Sequence, residues 1–212
     1  MRKKLLKQLT MALLLTIAVP TLNAQMAHIG DILCEGDLIV SPANYNANTH
    51  TAIGVVFYVD QTGQHGWAIR KFYNSTYCQW ATVQQDTPLQ NFSNKRQAIY
   101  DLDGYSNTQI IRAYSSNYTA FNVVDFANGW YLPAIGQLNY LYGNLVEINA
   151  SLEIIGGEKF TGSWECWSST ECNYKYAWGM NSSGDLLTYA FVNNYITPTV
   201  DIYRRVRAVR NF

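Results

Sequence analysis

The chain has 212 residues, with 15 Lys plus Arg and 15 Asp plus Glu. Four of the basic residues, Arg2, Lys3, Lys4 and Lys7, lie in the first 24 residues, so the 188 residues that follow carry 11 basic against 15 acidic side chains. That excess of acid argues against nucleic acid as a partner, and the length suits one domain with a proper core.

Residues 1–24 read as a secretory signal peptide. A basic start, an apolar run over 11–19 and the small Ala24 before Gln25 form the three parts of such a leader, cleaved after Ala24. The apolar run is shorter than the roughly 20 residues a membrane helix needs. Residues 25–212 are then expected to be a single exported domain, with no integral membrane segment. In that domain 30–33 and 38–41 flank Cys34-Glu35-Gly36-Asp37 as a small hairpin. The β-branched and aromatic run 53–59 is a strand, turned by 60–64 and returned by 66–70, so the hairpins over 30–70 belong to the main fold.

Further on, Trp80 is expected as a core anchor and 86–93 as a surface loop. A helix is expected over 107–112 with Asn107 as its cap. Tyr118, Phe121, Val124 and Phe126 predict a helix over 116–127, ended by Asn128-Gly129. Pro133 fits a first helical position, and Ile135, Leu138, Leu141, Leu145 and Ile148 give one helix a single buried stripe. Residues 151–155 read as a further helical turn. In 166–171, Trp167, Ser169 and Glu171 share one strand face and Cys166, Ser168 and Thr170 the other. Residues 176–181 and 186–191 pair across a turn at 182–185. A polar loop over 192–199 precedes a last strand over 201–212.

The motifs Trp130-Tyr131-Leu132-Pro133, Leu138, Trp167-Ser168-Ser169-Thr170-Glu171, Ala177-Trp178 and the arginines of 205–210 resemble a bacterial secreted domain found at the C-terminus of a collagen-like adhesin. The resemblance covers roughly the second half of the chain. It implies an α+β, C-type-lectin-like fold, in the variant shared with formylglycine-generating enzymes. Such a fold would be a mixed, mostly antiparallel twisted sheet with two main helices and long loops. The hairpin over 53–70 is similar to a segment that precedes this domain in secreted proteins of Gram-negative bacteria. Polysaccharide or host-surface ligands follow from the resemblance alone.

Enzyme chemistry finds little support in the residues. His28, His50 and His65 form no metal pair at helical spacing, and no Gly-x-Ser-x-Gly elbow occurs. Cys166 is flanked by Trp164 and Trp167, an apolar setting that raises a thiol pKa. Glu165 and Glu171 would lie about 20 Å apart on one extended strand. Neither calcium motif of the fold's lectins occurs, so no metal and no cofactor are expected. Cys34, Cys78, Cys166 and Cys172 are expected to be mostly buried thiols, with Cys34–Cys78 the pair least excluded from bridging.

Recognition by exposed loops remains. Sixteen tyrosines suit either such recognition or a compact β-rich core. Tyr174, Tyr176, Asn193, Asn194 and Tyr195 are the candidate ligand-binding residues, because aromatic faces stack on sugar rings and amides bind hydroxyls. Arg204, Arg205, Arg207 and Arg210 could admit an acidic glycan or simply neutralise neighbouring acids. The function expected is an exported, non-enzymatic, adhesin-like recognition domain. The alternatives are a structural subunit of a surface appendage and, last, a formylglycine-generating-type oxidase.

Overall fold

A computed structural model describes residues 26–74, 77–190 and 204–212. The expected signal peptide, its cleavage point and the polar loop with Asn193, Asn194 and Tyr195 lie outside the described residues. Within them the fold is α+β, with two antiparallel sheets and five helices. Strands β1 (Ile32–Cys34), β2 (Ile39–Val40), β3 (Ala52–Val59) and β4 (Gly66–Arg70) form the two expected hairpins, with a 3-10 turn Glu35–Asp37 between the first pair. Helices α1 (Lys95–Ala98), α2 (Gly104–Tyr114), α3 (Thr119–Asn122), α4 (Ile135–Gly143) and α5 (Leu145–Ile154) follow. Strands β5 (Glu165–Asn173), β6 (Tyr176–Asn181) and β7 (Leu186–Ala190) make a three-stranded sheet in that order. The last strand, β8 (Val209–Asn211), returns to β4 and completes a five-stranded sheet of order β2-β1-β3-β4-β8.

Side chains alternate across a strand, and here both faces are covered. Ile32, Ile69 and Cys166 point into a cluster with Leu138, Leu141, Ile148 and Leu152 of α4 and α5. Their neighbours Leu33, Ala68 and Trp167 point into a second cluster with Ile111, Ala120 and Phe121 of α2 and α3. Trp130 and Trp167, both buried, belong to that second cluster. Trp80 joins them, edge-on to Tyr118 and Phe121, and its indole donates to the Ser168 carbonyl at 2.8 Å.

Several expected boundaries move, each for a local reason. Helix α2 starts at Gly104 because Asp103 caps it, its carboxylate accepting from the Ser106 amide at 3.2 Å. Asn107 lies inside the helix and donates to Asp101 and Ser169. The helix expected over 116–127 is only α3 and a 3-10 turn, Phe126–Asn128, that ends at Gly129 with φ 80°. Both the Asn128 and Trp130 amides bond to the Asp125 carbonyl, which folds that stretch into a turn. Pro133 sits one residue before the α4 cap at Ala134 instead of inside the helix. The single long helix is two, broken at Asn144, whose amide donates to the Phe57 and Tyr140 carbonyls. The turn expected over 151–155 is the end of α5. Of the last strand expected over 201–212, the first three residues lie outside the described ones and only β8 is a strand; before it Arg204 bridges to Cys78, Arg205 to Cys166 of β5, and the Ala208 carbonyl accepts from the Arg70 amide of β4.

Candidate functional site

The polar motif on β5 is buried throughout. Between Trp167 and Glu171 the pairing of β5 with β6 is interrupted, and other elements take the place of the missing partner. The Ser169 amide donates to the Pro133 carbonyl at 2.8 Å. Thr170 Oγ1 accepts from the Ile135 amide at 2.9 Å and donates to Asp101 Oδ2 at 2.7 Å. Ser168 Oγ donates to the Trp178 carbonyl at 2.7 Å. Buried polar groups need such partners, and this seam ties β5 to α2 and α4. Burial is the main cause that pushes the Asp101 carboxyl up, while the Thr170 bond opposes it.

Glu171 ends the motif, fully buried beside the Thr87 hydroxyl. Burial pushes its carboxyl up to about 7, against the opposing pull of Thr87. Thr87 and Leu89 therefore leave the expected surface loop and plug the sheet. Glu165, at the other end of β5, pairs with Arg204 at 2.6 Å, so the two carboxylates share no site.

The thiols are free. Cys34 sits in the α4–α5 cluster and Cys78 packs against the other, so no Cys34–Cys78 bridge forms. Cys166 is buried, and burial pushes its thiol up to about 12 despite Arg207 and Arg205. Cys78 is likewise raised to about 11 by burial. Among the described residues no three His, Cys, Asp or Glu side chains gather as a metal site.

The C-terminal arginines are largely consumed. Arg205 meets Glu158 at 3.1 Å and Arg210 meets Asp37 at 2.6 Å. Arg207, almost fully buried, donates to the carbonyls of Arg70, Lys71 and Glu158, with Tyr73 and Phe160 against its guanidinium face. Neutralisation, the plainer of the two expectations, describes Arg204, Arg205 and Arg210, whereas Arg207 supports backbone carbonyls.

Tyr174 and Tyr176 come together at the tight β5–β6 connection, where Asn173 pairs with Tyr176. Both are exposed, at 48% and 40%, and Lys175 Nζ lies 5.0 Å from the Tyr174 ring. Their three expected companions are outside the described residues.

A cleft lies elsewhere, where β3, β4 and the turns at 35–37 and 125–129 meet. It has a volume of about 530 Å³. Trp130 forms its floor. Gly54 makes this possible: a Cβ there would lie 3.2 Å from the indole and 2.6 Å from the Ile69 carbonyl oxygen. Arg70, the strand partner of Gly54, lays its guanidinium 5.7 Å from the Trp130 ring centre, a cation–π arrangement. Lys71 and the half-exposed Phe72 extend that wall, and Glu35 and Asp125 face it from the turns. Sequence reasoning left this cleft out because Arg70 ends a strand and Trp130 reads as core. The run Arg70-Lys71-Phe72 was the one available signal.

No family model matches the chain, and no curated protein does. Among solved structures it is similar to a fimbrial protein from Bacteroides ovatus, at 17% identity and a TM-score of 0.62. The match covers 87% of this chain and 49% of that one, so the chain spans about half the length of its structural neighbour. At this identity the likeness is one of fold. It agrees with the α+β class and does not extend to a C-type-lectin-like identity.

Proposed function

We propose that this chain is an exported, non-enzymatic domain of a cell-surface appendage, acting as a structural subunit. The observation that carries this reading is the fold shared with a fimbrial protein over most of the chain. The polar motif supports it, since Ser169 and Thr170 tie β5 to α2 and α4, Ser168 ties it to β6, and Glu171 ties it to Thr87. The oxidase alternative needs a reactive thiolate, and a thiol held near 12 by burial is a poor one. Export would follow from a leader cleaved after Ala24, with no metal or cofactor required. The C-type-lectin-like description of the fold belongs to the same proposal. The test is location: antibody labelling and mass spectrometry of appendages sheared from expressing cells. Recovery in the sheared fraction, with Gln25 as first residue, is the expected result. Recovery only inside the cell would contradict it.

A second reading, binding of a polysaccharide or surface protein through C-terminal loops, is favoured by the exposure of Tyr174 and Tyr176 side by side at one strand connection. A glycan array with the wild type and a Tyr174→Ala, Tyr176→Ala variant addresses it. Equal signals from both proteins would remove this surface from consideration.

A further inference from the structure

We infer that the cleft over Trp130 is a binding site for an acidic sugar, with the ligand carboxylate held by Arg70 and Lys71. This goes beyond the appendage reading and does not depend on it, since a subunit needs no ligand at this position.

The first observation is charge without a partner. Among the described residues neither Arg70 nor Lys71 makes an ion pair, whereas Arg210 at the same cleft is bonded to Asp37. Both residues have a fixed backbone. The Arg70 amide donates to the Ala208 carbonyl and the Lys71 amide to the Ile53 carbonyl, each at 2.9 Å. Their own carbonyls accept from Arg207 at 2.8 Å. Only the side chains are left to act, and that of Arg70 rests on the indole of Trp130, so its fork is held before any ligand arrives. A planar guanidinium held this way suits a carboxylate, which it can bind through two parallel hydrogen bonds.

The second observation is that both signs of charge line the cleft. Arg70 and Lys71 come from the end of β4, Glu35, Asp125 and Asn128 come from the turns, and the third cation, Arg210, is held by Asp37. A ligand with a carboxylate at one end and hydroxyl donors at the other matches both sets of groups. A phosphate or sulfate dianion would face Glu35 and Asp125 with more charge than a carboxylate does, and like charges repel. Phe72, half exposed at the rim with Lys71 Nζ 5.3 Å from its ring, offers an apolar face to a sugar ring. A free amino acid could also satisfy opposite charges, but a cleft of this volume falls in the range for larger ligands.

The experiment is calorimetric titration of the exported domain with glucuronate and digalacturonate. Glucose, inorganic phosphate and glycylglycine serve as comparison probes. The uronates are expected to bind at least 10-fold more tightly than glucose, and added salt should weaken that binding. Arg70→Gln and Lys71→Gln should each weaken it about 10-fold or more with an unchanged melting temperature. No heat with either uronate would overturn the proposal, and so would equal binding of glucose. Tighter binding of phosphate or glycylglycine would assign the cleft to another ligand class and overturn it too. Should Arg70→Gln fail to fold, Lys71→Gln decides alone, and wild-type affinity in that variant refutes the assignment.

Discussion

Two polar regions of this molecule, one inside β5 and one at the end of β4, have opposite fates. On β5, Ser168, Ser169, Thr170 and Glu171 are buried; the three hydroxyls bond to Trp178, Asn107, Ile135 and Asp101 and the Glu171 carboxyl to Thr87, which leaves Glu171 Oε1 as the one side-chain oxygen of the four with no partner. At the end of β4, Arg70, Lys71 and Phe72 are at least partly open to solvent, and no carboxylate meets the two cations among the described residues. The stretch that draws the eye as a motif is architecture. The plain stretch is the one with chemistry to spare. A polar residue can be read as functional only after its hydrogen bonds have been assigned.

The contrast can be broken most forcefully at the core beneath both regions. Trp167→Ala should cost about 3–5 kcal/mol. It removes a fully buried ring and the indole bond to the Cys78 carbonyl. Trp130→Ala should cost a similar amount and strip the cleft of its floor. Urea denaturation measures both, and wild-type midpoints would refute the core assignment.

Arg207 supports the cleft region from behind, because it donates to the carbonyls of Arg70 and Lys71. Arg207→Met should cost about 3 kcal/mol, roughly one per lost hydrogen bond. Arg207→Lys should recover part of the loss. Denaturation curves in which methionine and lysine behave alike would show that the guanidinium fork is not what matters.

Glu171 sharpens the comparison through pH. Its folded-state value of about 7 lies above the ordinary 4.5, so the fold favours the neutral carboxyl. Stability from this group is fully present below about pH 4.5 and is lost as pH rises through 7, by up to about 3 kcal/mol. In Glu171→Gln that loss should disappear, leaving the variant about 2 kcal/mol more stable than wild type at pH 8. Asp101, raised by burial as well, should leave a smaller slope of the same sign. Parallel pH profiles for variant and wild type would contradict the burial argument. The smallest effect is expected at Tyr174 and Tyr176, where alanine should change stability by less than about 0.5 kcal/mol. A larger loss by thermal melting would mean that these exposed rings are structural.

Much of the fold can be read from local chemistry. The β-branched run of β3 and the turn residues at 182–185 mark hairpins because strands and tight turns use those residue types for steric reasons. The three-way junction at Thr170 is a different kind of fact. Its hydroxyl caps the Ile135 amide from 35 residues away, so the start of α4 is held from β5 as well as by the local Gln137 side chain on the Ala134 amide. Likewise the stripe from Ile135 to Ile148 is real as a buried face, but the break at Asn144 depends on a carbonyl of β3. The cleft depends on Gly54, Arg70 and Trp130 meeting across two strands and a turn, a distance in sequence that no periodicity spans. Tyr174 and Tyr176 are exposed as a recognition role requires, but the tight connection that exposes them shows only in the β5–β6 pairing.

The central claim is that the β5 seam carries stability while the cleft cations do not. Equilibrium urea denaturation of Thr170→Val and Arg70→Gln, side by side, tests it directly. Valine keeps the shape of threonine but leaves the Ile135 amide and an Asp101 oxygen without that hydroxyl, so a loss of about 1–3 kcal/mol is predicted. Arg70→Gln should stay within about 0.5 kcal/mol of wild type. Wild-type stability in Thr170→Val, or an equal loss in Arg70→Gln, would contradict the division between the two regions.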